Sequence, residues 1–119
     1  MGMAVMEDDL TQVFSALADP TRRAILDRLA NGEATVNELA APFAMSQQAI
    51  SKHLSVLERA HLISRKQAGR ARACVLQMDS IDGAAGWIER HRRLWADRYD
   101  RLDEHLSALS ASDRKEPGQ

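Results

Sequence analysis

The chain has 119 residues, 45% hydrophobic and 28% charged, with a formal net charge of −1. That length fits one domain around a single modest core, and the composition excludes disordered, fibrous and membrane-spanning classes. No apolar run approaches a membrane span, "MGMAVMEDDL" is acidic where a signal or transit peptide would be basic, and one cysteine, Cys74, rules out an internal disulfide framework, so a reducing cytoplasmic setting is expected.

Leu10, Val13, Phe14 and Leu17 recur at helical spacing and predict a first helix from about Glu7 to Ala18. In "DPTRRAILDRLANG", Asp19 suits the N-cap and Pro20 the first helical position. Ile25, Leu26 and Leu29 give the buried side of this second helix, and Gly32 its stop. Thr35 and Glu38 have capping-box spacing, opening a short third helix with Val36, Leu39 and Ala40 inward, and Pro42 closes it. Ser46 then caps a fourth helix, "SQQAISKHLSVLERA".

That helix turns Ile50, Leu54 and Leu57 one way and Gln48, Lys52, Ser55 and Arg59 the other, with Gln47 and Ser51 on the flank. An ordinary solvated face in so charged a chain would carry more Glu–Lys pairs. Beyond Ala60 the period changes. "LISRKQAGRARACVL" predicts two short strands about a turn at Gly69, with Arg65, Lys66, Arg70 and Arg72 towards the tip and Ile63, Val75 and Leu76 at the base. Asp79 restarts a helix whose first turns contain Gly83 and Gly86. From Gly86 to Ser110 it reads as continuous, about 37 Å long. The expected organisation is one domain over residues 1–110 with a flexible tail over 111–119.

The near-zero net charge hides segregation. Residues 1–19 hold four acids and no Lys or Arg, whereas residues 46–76 hold six bases against Glu58 alone, a local +5. A helix in the DNA major groove must present hydrogen-bonding groups to base edges, and Gln, Ser and Lys do so at suitable reach. A basic hairpin beside it adds affinity for phosphate. Two short helices, the second polar on its outside, followed by a basic hairpin form the order of a winged helix-turn-helix. The expected fold is therefore mostly α with a small β-hairpin wing. Nothing points to an enzyme: there is no Gly-rich phosphate loop, no recognisable nucleophile–histidine arrangement and no carboxylate pair in an evident cleft.

"ALADPTRRAILDRLA", "TVNELAAPFAMSQQAISKHLSVLERAHLISRKQAGRARACVL" and the Trp- and Arg-rich last helix resemble the ArsR-type winged-helix repressors, over about Leu10 to Leu109. The resemblance implies a homodimeric cytoplasmic repressor of a palindromic operator on double-stranded DNA, whose affinity changes with a signal. By position it implies that Gln47, Gln48, Ser51, Lys52 and His53 form the reading start of the recognition helix, and that Arg65, Lys66, Arg70 and Arg72 form the wing; Ser55, on the outward polar stripe, is expected to read DNA with them. His53, beside the reading stripe, suits either a phosphate contact or a hydrogen bond within the fold. The sequence departs from the family in two ways. His61 stands where the family usually has Gly, and the paired thiols of metal-sensing members are absent near Thr35 and Asn37.

A metal site is not expected. Asp103 and His105 match the start of a second metal motif, but its completion falls on Glu116 instead of His, and four-coordinate zinc needs more. The lone Cys74 reads as a small buried side chain and His91 as a polar contact in a dimer interface; sensing by Cys74, His91, Asp103 or His105 is the alternative. Trp87, Leu94, Trp95, Leu102, Leu106 and Leu109 form a stripe too apolar for one solvated helix. It is expected to meet its twin and Leu10, Val13, Phe14 and Leu17 of the first helix in a dimer. A pocket for an unidentified small-molecule effector is the competing reading. No cofactor is implied.

Overall fold

The computed structural model describes the chain from Gly2 to Lys115, with side chains described over residues 9–111. Helix α1 spans Gly2–Leu17 and α2 spans Pro20–Leu29. A two-residue strand β1, Ala34–Thr35, leads into α3, Val36–Ala40, and α4 follows at Gln47–Arg59. The hairpin is β2, Ile63–Ala68, with β3, Ala71–Leu76, and α5 runs over Asp79–Lys115. The chain divides into two units, residues 1–84 and 85–119.

Local chemistry accounts for the helix ends. The Asp19 carboxylate accepts from the Arg22 N–H (3.1 Å) at the start of α2, and Pro20 occupies its first turn. At α3 the capping box is complete: Glu38 N–H donates to Thr35 Oγ1, and Thr35 N–H donates to Glu38 Oε1. The Thr35 N–H, followed by the Thr35 hydroxyl, holds the Glu38 carboxyl below its ordinary range. Ser46 Oγ accepts from Ala49 N–H and caps α4.

The sheet is antiparallel in the order β1-β3-β2, so a third strand joins the expected hairpin. Ala34 pairs with Cys74 and Thr35 with Ala73, while β2 and β3 pair from Ile63–Leu76 to Ala68–Ala71. Gly69 takes φ 64° in the resulting two-residue turn, the first-position glycine of a type II′ hairpin. The core of the first unit comprises Val13, Ala16, Ile25, Leu26, Leu29, Leu39, Ile50, Leu54, Leu57, Leu62, Ile63 and Cys74, closed by Ala84 from the first turns of α5. Side chains as tightly enclosed as Leu54 and Leu57 typically cost about 2–5 kcal/mol when cut to Ala.

Several sequence expectations change. Helix α1 begins at Gly2 instead of Glu7 and ends at Leu17. Val13, expected at a dimer surface, lies in the core of its own chain, with Leu10 and Leu17 half-buried against it; Phe14 is exposed. Helix α5 runs unbroken through Gly83 and Gly86 and on through 111–115, where the tail was expected. Residues 116–119, Glu116 included, lie outside the described residues. No described helix is long and apolar enough to cross a membrane.

Candidate nucleic-acid interface

Helices α3 and α4 form the helix-turn-helix, and α4 is held from its apolar side. Ile50, Leu54 and Leu57 are fully buried, which leaves the other face outward. Gln48, Lys52 and Ser55 lie exposed on it, and Ser51 is half-buried at its edge. Gln48, Lys52 and Ser55 make no side-chain hydrogen bond or ion pair among the described residues. Gln47 differs: its amide donates to the Asn37 side-chain oxygen, tying the start of α4 to α3.

His53 turns inward. Its Nδ1 lies 3.3 Å from Arg22 Nη1 and 3.9 Å from Asp19 Oδ2, both in the α2 N-terminal region. Asp19 is held below the ordinary carboxylate range, chiefly by the Arg22 N–H it accepts. Sequence reasoning missed Arg22, although a signal was present. "TRR" puts two cations in the first turn of α2, at the positive end of the helix dipole, so their favourable partners must lie elsewhere. Those partners are the carbonyls at the end of α1, where Arg22 serves Ser15 and Ala16 and Arg23 serves Leu17.

The wing divides its cations in the same way. Arg65 folds back so that Nε, itself buried, lies 3.6 Å from Glu58 Oε1, too far for a hydrogen bond but close enough for an ion pair. On the other face of the hairpin, Lys66 pairs with Glu33 at 2.6 Å. Arg70, at the turn, and Arg72, one residue into β3, are exposed and have no ion-pair partner among the described residues. The Gln67 amide braces the turn by donating to Gly69 O. Cys74 is fully buried, and burial pushes its thiol up from the ordinary range.

In the second unit, Leu94, Trp95, Leu102, Leu106 and Leu109 are between 51% and 56% exposed, a face unlike that of a helix meant only for water. The Trp87 and His91 rings stack at 3.9 Å, with His91 Nδ1–H donating to Trp87 O, and Trp95 meets Trp87 edge-on. Elsewhere on the helix Glu89 pairs with Arg92 and Arg93, and Asp97 with Arg101. The Arg92 hydrogen bond takes the Glu89 carboxyl down to about 2. Among the described residues no three His, Cys, Asp or Glu side chains gather as a metal site would require; Asp103 and His105 are exposed.

A helix-turn-helix domain family model matches residues 17–65. The chain is 46% identical over 74 residues to the HTH-type transcriptional regulator Rv2034 of Mycobacterium tuberculosis, covering 62% of this chain and 67% of that one. It is 35% identical over 79 residues to the transcriptional repressor SdpR of Bacillus subtilis, covering 66% and 88%. Among solved structures, an ArsR family transcriptional regulator superposes with TM-score 0.71 at 40% identity, covering 76% and 93%. The homodimeric winged helix-turn-helix DNA-binding domain of Mb0332 from Mycobacterium bovis superposes with TM-score 0.60 at 29% identity, covering 87% of each chain.

Proposed function

This chain belongs to the ArsR family of winged helix-turn-helix DNA-binding transcriptional regulators, and from that premise we propose that it is a cytoplasmic homodimeric repressor of a palindromic operator that does not respond to metal. The observation that carries the reading is the outward face of α4. Gln48, Lys52 and Ser55 hold unused hydrogen-bonding groups there, whereas the neighbouring Gln47 and His53 are engaged within the chain. Gln48, Ser51 and Ser55 would read base edges; Lys52, Arg70 and Arg72 would hold phosphates. Gln47, Arg65 and Lys66 would contribute indirectly, by fixing the helix start and the wing base.

The half-exposed stripe from Trp87 to Leu109 supports pairing with a second copy, with Phe14 and the edges of Leu10 and Leu17 as the contribution of α1. The homodimeric winged helix-turn-helix domain of Mb0332, of similar fold, favours that occupant over a small-molecule effector. The soft thiol pair of metal sensors is missing, and one buried thiol does not replace it.

A duplex pool randomised over about 30 bp, offered to the purified protein, tests the reading. We expect enrichment of a palindrome with half-sites about 34 Å apart, or a multiple of that. With Lys52, Arg70 and Arg72 from two copies, about six phosphate contacts give a log–log salt slope near −5. Sedimentation should show a dimer that Leu102→Asp dissociates, and zinc or chelator should leave affinity unchanged. A pool that enriches nothing refutes the repressor; a dialysis-resistant zinc that releases the duplex refutes metal independence.

A further inference from the structure

We infer that Arg22 is a positioning residue for the recognition helix and acts through His53, which is thereby a link within the fold and not a contact to DNA. The inference rests on the proposal that α4 reads the operator. From the first turn of α2, Arg22 reaches two other elements, α1 and α4. Its Nε donates to Ala16 O (2.7 Å) and its Nη2 to Ser15 O (2.9 Å), both in the last turn of α1, and its Nη1 lies 3.3 Å from His53 Nδ1 on α4. Its own N–H is held by Asp19.

A guanidinium has five donors and no acceptor, so His53 meets it through the Nδ1 lone pair and keeps its ring proton on Nε2. Two carbonyls already fix the plane of the guanidinium, so the position of Nη1 follows from α1 and α2 and not from rotation of the Arg22 side chain. His53 then fixes how α4 is turned about its own axis. Its neighbours Ser51 and Lys52 stand at the edge and on the face of the reading stripe. A rotation of α4 small enough to leave Ile50, Leu54 and Leu57 in the core would still move Gln48 and Ser55 relative to a base edge. Bidentate contacts to bases are sensitive to such displacements, whereas phosphate contacts through long side chains absorb them.

The test separates the two ring nitrogens. Asn places a carbonyl oxygen close to where Nδ1 sits, Gln places an amide close to Nε2, and Leu provides neither. Each variant is assayed, at temperatures where circular dichroism shows it folded, on the palindrome enriched by the wild-type protein and on a random duplex of equal length. His53→Leu and His53→Gln should weaken binding to the palindrome about tenfold, the size of one lost hydrogen bond to a charged group, and His53→Asn should recover most of it. Affinity for the random duplex and the salt slope should not change. Arg22→Lys, which cannot span all three acceptors, should weaken the palindrome similarly and add little when combined with His53→Leu. If His53→Gln binds as wild type while His53→Asn does not, or if the random duplex is weakened equally, His53 touches DNA through Nε2 and the inference fails. Unchanged palindrome binding in His53→Leu also overturns it. If the wild type enriches no palindrome, the repressor reading itself is lost and this inference with it.

Discussion

His61 is the one non-glycine residue of the described chain with positive φ, at 59°, and replacing it should stabilise the protein. The conformation is imposed from both sides. Helix α4 ends at Arg59, His61 N–H donates to Glu58 O, and Leu62 N–H donates to Leu57 O, each at 3.0 Å, the paired bonds of a Schellman motif. Leu62 and Leu57 are both fully buried in the same core cluster, in keeping with the apolar pair that accompanies the motif. The next carbonyl, Leu62 O, accepts from Gln77 N–H, and β2 starts at Ile63. The backbone therefore has no alternative at residue 61, and the side chain, exposed and with no hydrogen-bond or ion-pair partner among the described residues, adds nothing that offsets the strain. Left-handed backbone costs an L-residue about 1–2 kcal/mol relative to glycine. Glycine forfeits about 0.4–1 kcal/mol through the greater freedom of its unfolded chain. His61→Gly should thus gain about 0.5–1 kcal/mol, a rise in Tm of roughly 2–8 °C for a domain of this size. His61→Val should lose stability, because a branched side chain tolerates this region worst. Urea and thermal unfolding at one fixed protein concentration measure both changes, since dimerisation makes Tm depend on concentration. A His61→Gly protein that melts below wild type would refute the reasoning and mean that the imidazole makes a stabilising contact.

Two further expectations follow from side chains the fold has already paired or enclosed. Arg72→Ala should flatten the salt slope of duplex binding by about 2 per dimer, whereas Lys66→Ala, its ammonium engaged by Glu33, should change it by less than half as much; equal flattening would mean the Glu33 pair opens on DNA. Cys74 should react with a disulfide reagent at least about 10³-fold more slowly in the native protein than in urea, because a buried thiol with raised pKa becomes reactive only through unfolding. Stoichiometric labelling of the native protein within minutes would restore it as a redox sensor.

What could be read from the sequence was whatever short-range chemistry determines. The caps at Asp19, Thr35 and Ser46, the turn at Gly69 and the apolar face of α4 all depend on neighbours within four residues and are legible in the sequence, which marks His61 only as a departure from the family's Gly. Strand β1 escaped because two residues carry no period, and Thr35 had already been assigned as a cap. The sequence reading ends α5 too early because the largely polar residues 111–115 look like a tail, although nothing in them breaks a helix.

The larger gap concerns which polar groups remain free to act. A count along residues 46–76 finds +5 and treats every cation as available. In the fold, Arg65 is drawn to Glu58 and Lys66 to Glu33, an acid outside the counted segment. His53 is taken up by Arg22, 31 residues away. None of these pairings follows from spacing, because each joins elements whose approach is decided by the core. They narrow the field presented to a phosphate backbone to Lys52, Arg59, Arg70 and Arg72, two of them at the tip of a hairpin and two on the recognition helix. If α4 reads an operator as proposed, such a head would have modest sequence-independent affinity, and discrimination would fall to Gln48, Ser51 and Ser55. Their reach is short, so the orientation of α4 matters more than the amount of charge around it, and the Arg22–His53 link bears on that orientation.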